Sequence, residues 1–187
     1  MSPTATQLDR TRIKELTERE EEKLNSRTQK SKEMFERASE HLSGGVASSY
    51  QLREPWPIYM ERGSGPMVWD VDGNEMYDFH NGFGSMVQGH ANPAIGKVVQ
   101  ARYEQGTHFA APTEDAIVVG DELARRWDIP KWRYTNSGSE ATMDAIRIAR
   151  GFTGRDDVMK IFGSYHGHHD TVMVSIGVEY DKIGDHE

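Results

Sequence analysis

The sequence predicts an α/β protein, with a central, mostly parallel sheet flanked by helices and an N-terminal segment of helices and a β-hairpin. Three observations predict it. First, the apolar spacing changes in the middle of Tyr134-Thr-Asn-Ser-Gly-Ser-Glu-Ala-Thr-Met-Asp-Ala-Ile-Arg-Ile-Ala-Arg150. Residues 129–134 read as the approach of a short strand, whereas Ala141, Ala145, Ile148 and Ala149 recur at helical spacing. Second, residues 157–162 and then Val172-Met-Val-Ser175 follow as short apolar runs. Strand, helix, strand, with a polar loop after each strand, is the βα pattern, which collects its loops at one edge of the sheet. Third, residues 67–79 divide at Asp72-Gly-Asn74 into two short alternating runs, as a hairpin does.

Composition narrows the function classes. A chain of 187 residues can bury a substantial core as one large domain or slightly more. A formal charge of -8 lacks the basic footprint of a nucleic-acid binder. With no cysteine, disulfides, thiolate catalysis and Cys-ligated zinc are excluded. No apolar run reaches membrane-spanning length and no basic-then-apolar leader opens the chain, so a cytoplasmic protein without membrane partners is expected.

In chain order, residues 1–8 read as a loose terminus. Residues 9–42 are rich in Glu, Lys and Arg around sparse apolar anchors such as Ile13, Leu16, Leu24 and Phe35. They predict one or two amphipathic helices with opposite charges three or four apart, whose polar face is either solvated or packed along a second subunit. Ser43-Gly-Gly45 stops that run, and no period is evident from there to Tyr59. After the hairpin, Asn81-Gly-Phe-Gly-Ser-Met-Val-Gln-Gly-His90 implies backbone threading closely past another chain segment or a ligand. Helices are expected after Pro93 and from Ala111-Pro-Thr-Glu114, where proline suits the first turn. Gly151-Phe-Thr-Gly154 closes the helix of the central stretch. The boundary is drawn at residue 80: 1–80 hold the helices and hairpin, and 81–187 the first part of a larger domain.

The bend Asn136-Ser-Gly-Ser139 offers backbone N–H groups and two hydroxyls at the positive end of a helix dipole. It serves equally as a plain serine N-cap or as an anion seat. G-x-x-x-x-G-K-[ST] and G-x-G-x-x-G are both absent, which argues against a nucleoside triphosphatase and a dinucleotide fingerprint. Tyr165-His-Gly-His-His-Asp170 falls on the same predicted rim. Its spacing does not match H-E-x-x-H, so no metal is expected; Tyr165 or His166 suits stacking on a ring instead. An anion seat beside an aromatic platform accommodates a flat phosphorylated cofactor, pyridoxal phosphate or a nucleotide.

The chain resembles the class III, fold-type I pyridoxal-phosphate enzymes, the family of the glutamate-1-semialdehyde aminomutases and related aminotransferases. The resemblance runs through Ser43-Gly-Gly-Val46, Val68-Trp-Asp-Val-Asp-Gly73, Met86-Val-Gln-Gly-His90, Asn92-Pro-Ala-Ile95, Ala111-Pro-Thr-Glu114, Asn136-Ser-Gly-Ser-Glu-Ala-Thr142, Ala145-Ile-Arg-Ile-Ala-Arg-Gly-Phe-Thr-Gly-Arg155 and Tyr165-His-Gly-His168. It implies that Ser137, Gly138 and Ser139 bind the cofactor phosphate, Tyr165 stacks on its ring and His166 supports that pocket. Tyr50, Arg53 and Phe83 would line the substrate side, in a homodimer.

The resemblance also implies that the lysine anchoring the cofactor, and an aspartate for its pyridine nitrogen, lie beyond Glu187. None of Lys97, Lys131, Lys160 or Lys182 has a matching context. The 187 residues are therefore expected to be the N-terminal part of a larger enzyme. Two departures bear on the reaction. Ala47-Ser-Ser-Tyr-Gln51 stands where the aminomutases carry Asn-Ser-Pro-Val-Arg, and Gly82-Phe-Gly-Ser-Met86 where they carry Ser-Trp-Gly-Pro-Met. The expected reaction is thus amino-group transfer between an amino acid or amine and a 2-oxo acid. The alternatives are the aminomutase, a racemase or epimerase, and a noncatalytic fragment or complementing subunit.

Overall fold

The structure, a computed structural model, describes residues 9–177. The loose terminus expected over 1–8 and Lys182 lie outside the described residues. The chain parts into two compact units, one ending at His108 and the other beginning at Phe109.

In the first unit, α1 (Arg10–Ser26) starts at Asp9, whose carboxylate accepts the Arg12 N–H at 2.9 Å. Its exposed face carries Arg12–Glu15 and Lys14–Glu18 pairs at 3.2 and 3.7 Å, the opposite-charge spacing read from the sequence. After a break at Thr28 comes α2 (Gln29–Ser39). Thr28 does not cap this helix with its own side chain. The cap comes from a distant residue, since Asp72 accepts the N–H groups of Lys30 (2.7 Å) and Ser31 (3.0 Å) and the Ser31 hydroxyl (2.9 Å).

Asp72 belongs to the turn of the expected hairpin, β2 (Met67–Asp70) and β3 (Glu75–Tyr77). The sheet has a third strand that the sequence reading missed, β1 (Met60–Ser64), antiparallel to β2, giving the order β1-β2-β3. Asn74 continues the tie to the helices by donating to the Arg27 carbonyl (2.9 Å) and accepting from the Arg27 guanidinium (2.9 and 3.1 Å). The centre of this unit is accordingly polar: Thr28, Ser31 and Asp70 are almost wholly buried, and each is hydrogen-bonded. Trp56 donates its indole N–H to Thr28 at 3.0 Å, and Tyr59 donates its hydroxyl to the Gly45 carbonyl at 2.6 Å.

The glycine-rich segment is a 3-10 turn over Asn81–Gly84 and a loop returning to His90, which exchanges two backbone hydrogen bonds with Gly65 (2.9 and 2.8 Å). Gly63 is the reason this fits. A Cβ there would stand 2.6 Å from the His90 ring. The chain segment being threaded is thus β1 and its turn, one of the two alternatives the glycines left open. Helix α3 (Pro93–Gln105) follows, capped by the Asn92 side chain on the Ala94 N–H.

The second unit contains α4 (Glu114–Trp127) and α5 (Gly138–Thr153), each closed by a left-handed residue, Asp128 and Gly154. The strands expected at 129–134, 157–162 and 172–175 are not formed. Among the described residues the only sheet is the antiparallel one of the first unit, and the second unit has no ladder. Apolar runs encode a preference for extended backbone, but a strand exists only where another backbone answers its N–H and C=O groups. Residues 157–162, read as a buried strand, instead leave Met159 and Ile161 98% and 79% exposed.

Candidate functional site

The bend and the tyrosine loop meet, as expected, although the sheet whose rim was to bring them together is not formed among the described residues. Ser137 is the N-cap of α5, accepting the Glu140 N–H at 3.2 Å, while the Glu140 carboxylate reaches back to the Asn136 N–H at 2.6 Å. Among the described residues no acceptor takes the N–H groups of Gly138 and Ser139. The Ser139 hydroxyl accepts the His168 N–H at 2.9 Å and retains its own proton. Gly167, with φ +120°, lies against the same turn, where a Cβ would sit 2.9 Å from the Ser139 Cα.

Thr142 was not singled out from the sequence, yet it joins the two segments. Its hydroxyl is 2.7 Å from the His166 carbonyl, 3.2 Å from His169 Nε2 and 3.0 Å from the Gly138 carbonyl. The available signal was helical spacing, since Thr142 stands three residues after Ser139 on the same face. His166 is held by its carbonyl and by Nε2, 3.0 Å from the Ser164 hydroxyl. Tyr165 stands 62% exposed beside it. Lys160 donates to the carbonyls of Val172 and Val174, beside the buried Val172 side chain. No three His, Cys, Asp or Glu side chains among the described residues converge as metal ligands.

The residues expected on the substrate side belong to the first unit, where they form a second cluster. Tyr50 and Phe83 meet edge to face with ring centres 5.1 Å apart, and His80, missed by the sequence reading, packs on Phe83 at 4.2 Å. Arg53 turns back to donate to the carbonyls of Tyr50 (2.8 Å) and Leu52 (2.6 Å). Phe83 occupies φ 54°, a strained conformation for an aromatic residue, within the loop closed by His90. Asp78 fastens both ends of that loop. It accepts the Asn81 and His80 N–H groups at 2.8 and 2.9 Å and lies 2.7 Å from His90 Nε2. The Asn81 N–H and then His90 hold its carboxyl below the usual range.

Comparison with known proteins places the chain. The family described as Aminotransferase class-III matches residues 49–183. The chain belongs to the class III aminotransferase family. Among curated relatives, glutamate-1-semialdehyde 2,1-aminomutase of Methanocaldococcus jannaschii is 44% identical over 149 residues, 79% of this chain and 35% of that protein. The same enzyme of Methanothrix thermoacetophila is 39% identical over 155 residues, 82% and 36% of the two chains. The chain thus spans about a third of the length of these class III relatives.

Two solved class III structures agree. One described as a transaminase with PLP bound superposes with a TM-score of 0.76 at 38% identity, over 79% of this chain and 35% of that one. A glutamate-1-semialdehyde aminomutase from Pseudomonas aeruginosa PAO1 gives 0.79 at 31% identity, over 86% and 36%. These neighbours are fold-type I enzymes, and the described residues form an α/β portion of that fold.

Pyridoxal phosphate is the cofactor of the class III family. The residues present fit its phosphate: two N–H groups at the start of a 16-residue helix, flanked by two serine hydroxyls that each keep a proton to donate.

Proposed function

We propose that this chain carries cofactor- and substrate-binding parts of a pyridoxal-phosphate-dependent aminotransferase, moving an amino group between an amino acid or amine and a 2-oxo acid. The observation behind this reading is the hydrogen bond from the His168 N–H to Ser139, which keeps the Tyr165 loop beside the free N–H groups of α5. Gly138 and Ser139 bind the phosphate through backbone N–H groups, and Ser137 and Ser139 through hydroxyls. Tyr165 stacks on the ring, and His166 supports the pocket from behind. Tyr50, Arg53 and Phe83 line the substrate side, and the working form is a homodimer. When bound, the cofactor supplies an electron sink for the charge left at the substrate α-carbon. The protein's part is to fix phosphate and ring so that the substrate α-carbon is presented in one orientation.

A second reading is glutamate-1-semialdehyde 2,1-aminomutase, favoured by the names of the curated relatives. The sequence at 47–51 favours intermolecular transfer. Incubating the full-length protein with amino donors and pyruvate or 2-oxoglutarate, then measuring oxo-acid formation, tests the first reading. Conversion of glutamate-1-semialdehyde without transfer from any donor would replace it with the second.

A further inference from the structure

We infer that Thr142 is a positioning residue that couples the ring platform to the phosphate seat. The inference rests on the proposed cofactor pocket and assigns it a residue outside the expected binding set. Three features carry it. The Thr142 hydroxyl donates to the His166 carbonyl at 2.7 Å, so it fastens the residue directly after Tyr165. The same oxygen lies 3.2 Å from His169 Nε2, which fastens the far side of the loop. Between these two points, Gly167 brings backbone against backbone, its absent Cβ leaving room for the Ser139 Cα and the Thr142 hydroxyl, 2.9 and 3.0 Å from where that Cβ would be.

The loop and the first turn of α5 therefore register through one side chain, one glycine and the His168–Ser139 bond. Thr142 contributes no group to the phosphate seat itself. Its hydroxyl lies closest to the loop, 2.7 Å from the His166 carbonyl against 3.0 and 3.1 Å from the carbonyls of Gly138 and Ser139, and the free N–H groups are those of Gly138 and Ser139. Losing this hydroxyl should leave anion binding intact and loosen only what stands on residues 164–169. That separation is what distinguishes a positioning role from a general structural one.

The test uses the full-length protein with inorganic phosphate and pyridoxal 5'-phosphate as separate probes. Thr142→Val, of nearly the same shape, should weaken pyridoxal 5'-phosphate binding about tenfold while leaving the phosphate dissociation constant unchanged within about twofold. The circular dichroism induced in the bound ring should diminish, and the His168 amide should exchange with solvent faster than in the wild type. Thr142→Ser should restore all three.

Thr142→Ala, which removes the hydroxyl while favouring the helix, should reproduce the selective loss and serves if the valine variant fails to fold. Equal weakening toward both probes, or no change toward either, overturns the role of Thr142 while leaving the cofactor pocket standing. A wild-type protein that binds neither probe overturns the pocket, and the inference with it.

Discussion

Asp78 and His90 close a twelve-position stretch of backbone with one contact of 2.7 Å between Oδ2 and Nε2. The other carboxylate oxygen takes the N–H groups of His80 and Asn81, so a single aspartate sets both the start and the end of the loop that carries Phe83. Because the folded carboxyl is held below its ordinary value, its stabilisation is full above about pH 4 and is lost as pH falls through the lower folded value. Asp78→Asn should flatten that acid limb in urea unfolding measured across pH, and should speed amide exchange at Gly65 and His90.

Asp72 makes a second acid-sensitive tie. Burial acts to raise its carboxyl, and the N–H of Lys30 with the hydroxyl and N–H of Ser31 outweigh it, leaving a net depression. The sign is therefore the same, with stability lost on acidification below about pH 4. Asp72→Ala should cost about 2 kcal/mol at neutral pH, the loss of a helix cap plus a buried hydrogen bond. The urea midpoint reads it.

Gly44 and Gly45 share a left-handed backbone, at φ +65° and +67°, but not their surroundings. A Cβ on Gly44 would meet Leu52 at 3.4 Å, whereas one on Gly45 would overlap the Phe35 ring at 2.5 Å. Alanine should cost about 1 kcal/mol at position 44 and about 2 to 3 kcal/mol at position 45. Equal losses in thermal or urea unfolding would mean that backbone conformation alone sets both.

Ser137 separates capping from binding. Glycine replaces a serine N-cap at a cost of only a few tenths of a kcal/mol, whereas alanine costs about 1 kcal/mol. Ser137→Gly should thus leave thermal unfolding nearly unchanged while weakening pyridoxal 5'-phosphate binding severalfold. Unchanged binding in a titration would reduce Ser137 to a cap.

Glu122 should titrate at about 2, held there by hydrogen bonds from Arg125 and then Arg126. Carbon-detected NMR of the carboxyl should show the midpoint rising in Arg125→Ala and in concentrated salt. The unfolding midpoint should barely respond, because an exposed pair is screened by water and ions.

The local signals in the sequence were strong where one residue type does one job. Asp72-Gly-Asn74 marked the hairpin turn, Pro93 the start of α3 and Ser137 the cap of α5, whereas Pro112, read as first-turn, precedes the Thr113 cap and stands outside α4. What remained illegible was who answers whom. Strand β1 is polar, contains Gly63 and carries a register irregularity between Met60 and Arg62, so it has no alternation to read; it is recognisable only beside β2. The Asp72 cap on α2 joins residues more than forty positions apart, which no window of spacing detects. Residues 157–162 failed in the opposite sense, since their apolar pattern gave the preference without the pairing.

In the binding region, the meeting of the seat and the tyrosine loop was anticipated from the order of predicted elements, but through strands that are not formed among the described residues. Their actual fastener, Thr142, was not, because a threonine inside a helix is ordinarily indifferent. Phe83 stood out as an aromatic among glycines and Tyr50 entered only through the family resemblance, while His80 entered only through the fold of the backbone.

The tie between the hairpin turn and the helix junction has one more consequence. Asp72 and Asn74 supply acceptors and donors to residues 27–31, and those residues supply the matching groups in return, so each side of the exposed segment around Leu52 and Arg53 completes the other. A protease cutting there severs a tether and leaves the recognition intact. The nicked pieces would stay together as a two-part complex and separate only under denaturant.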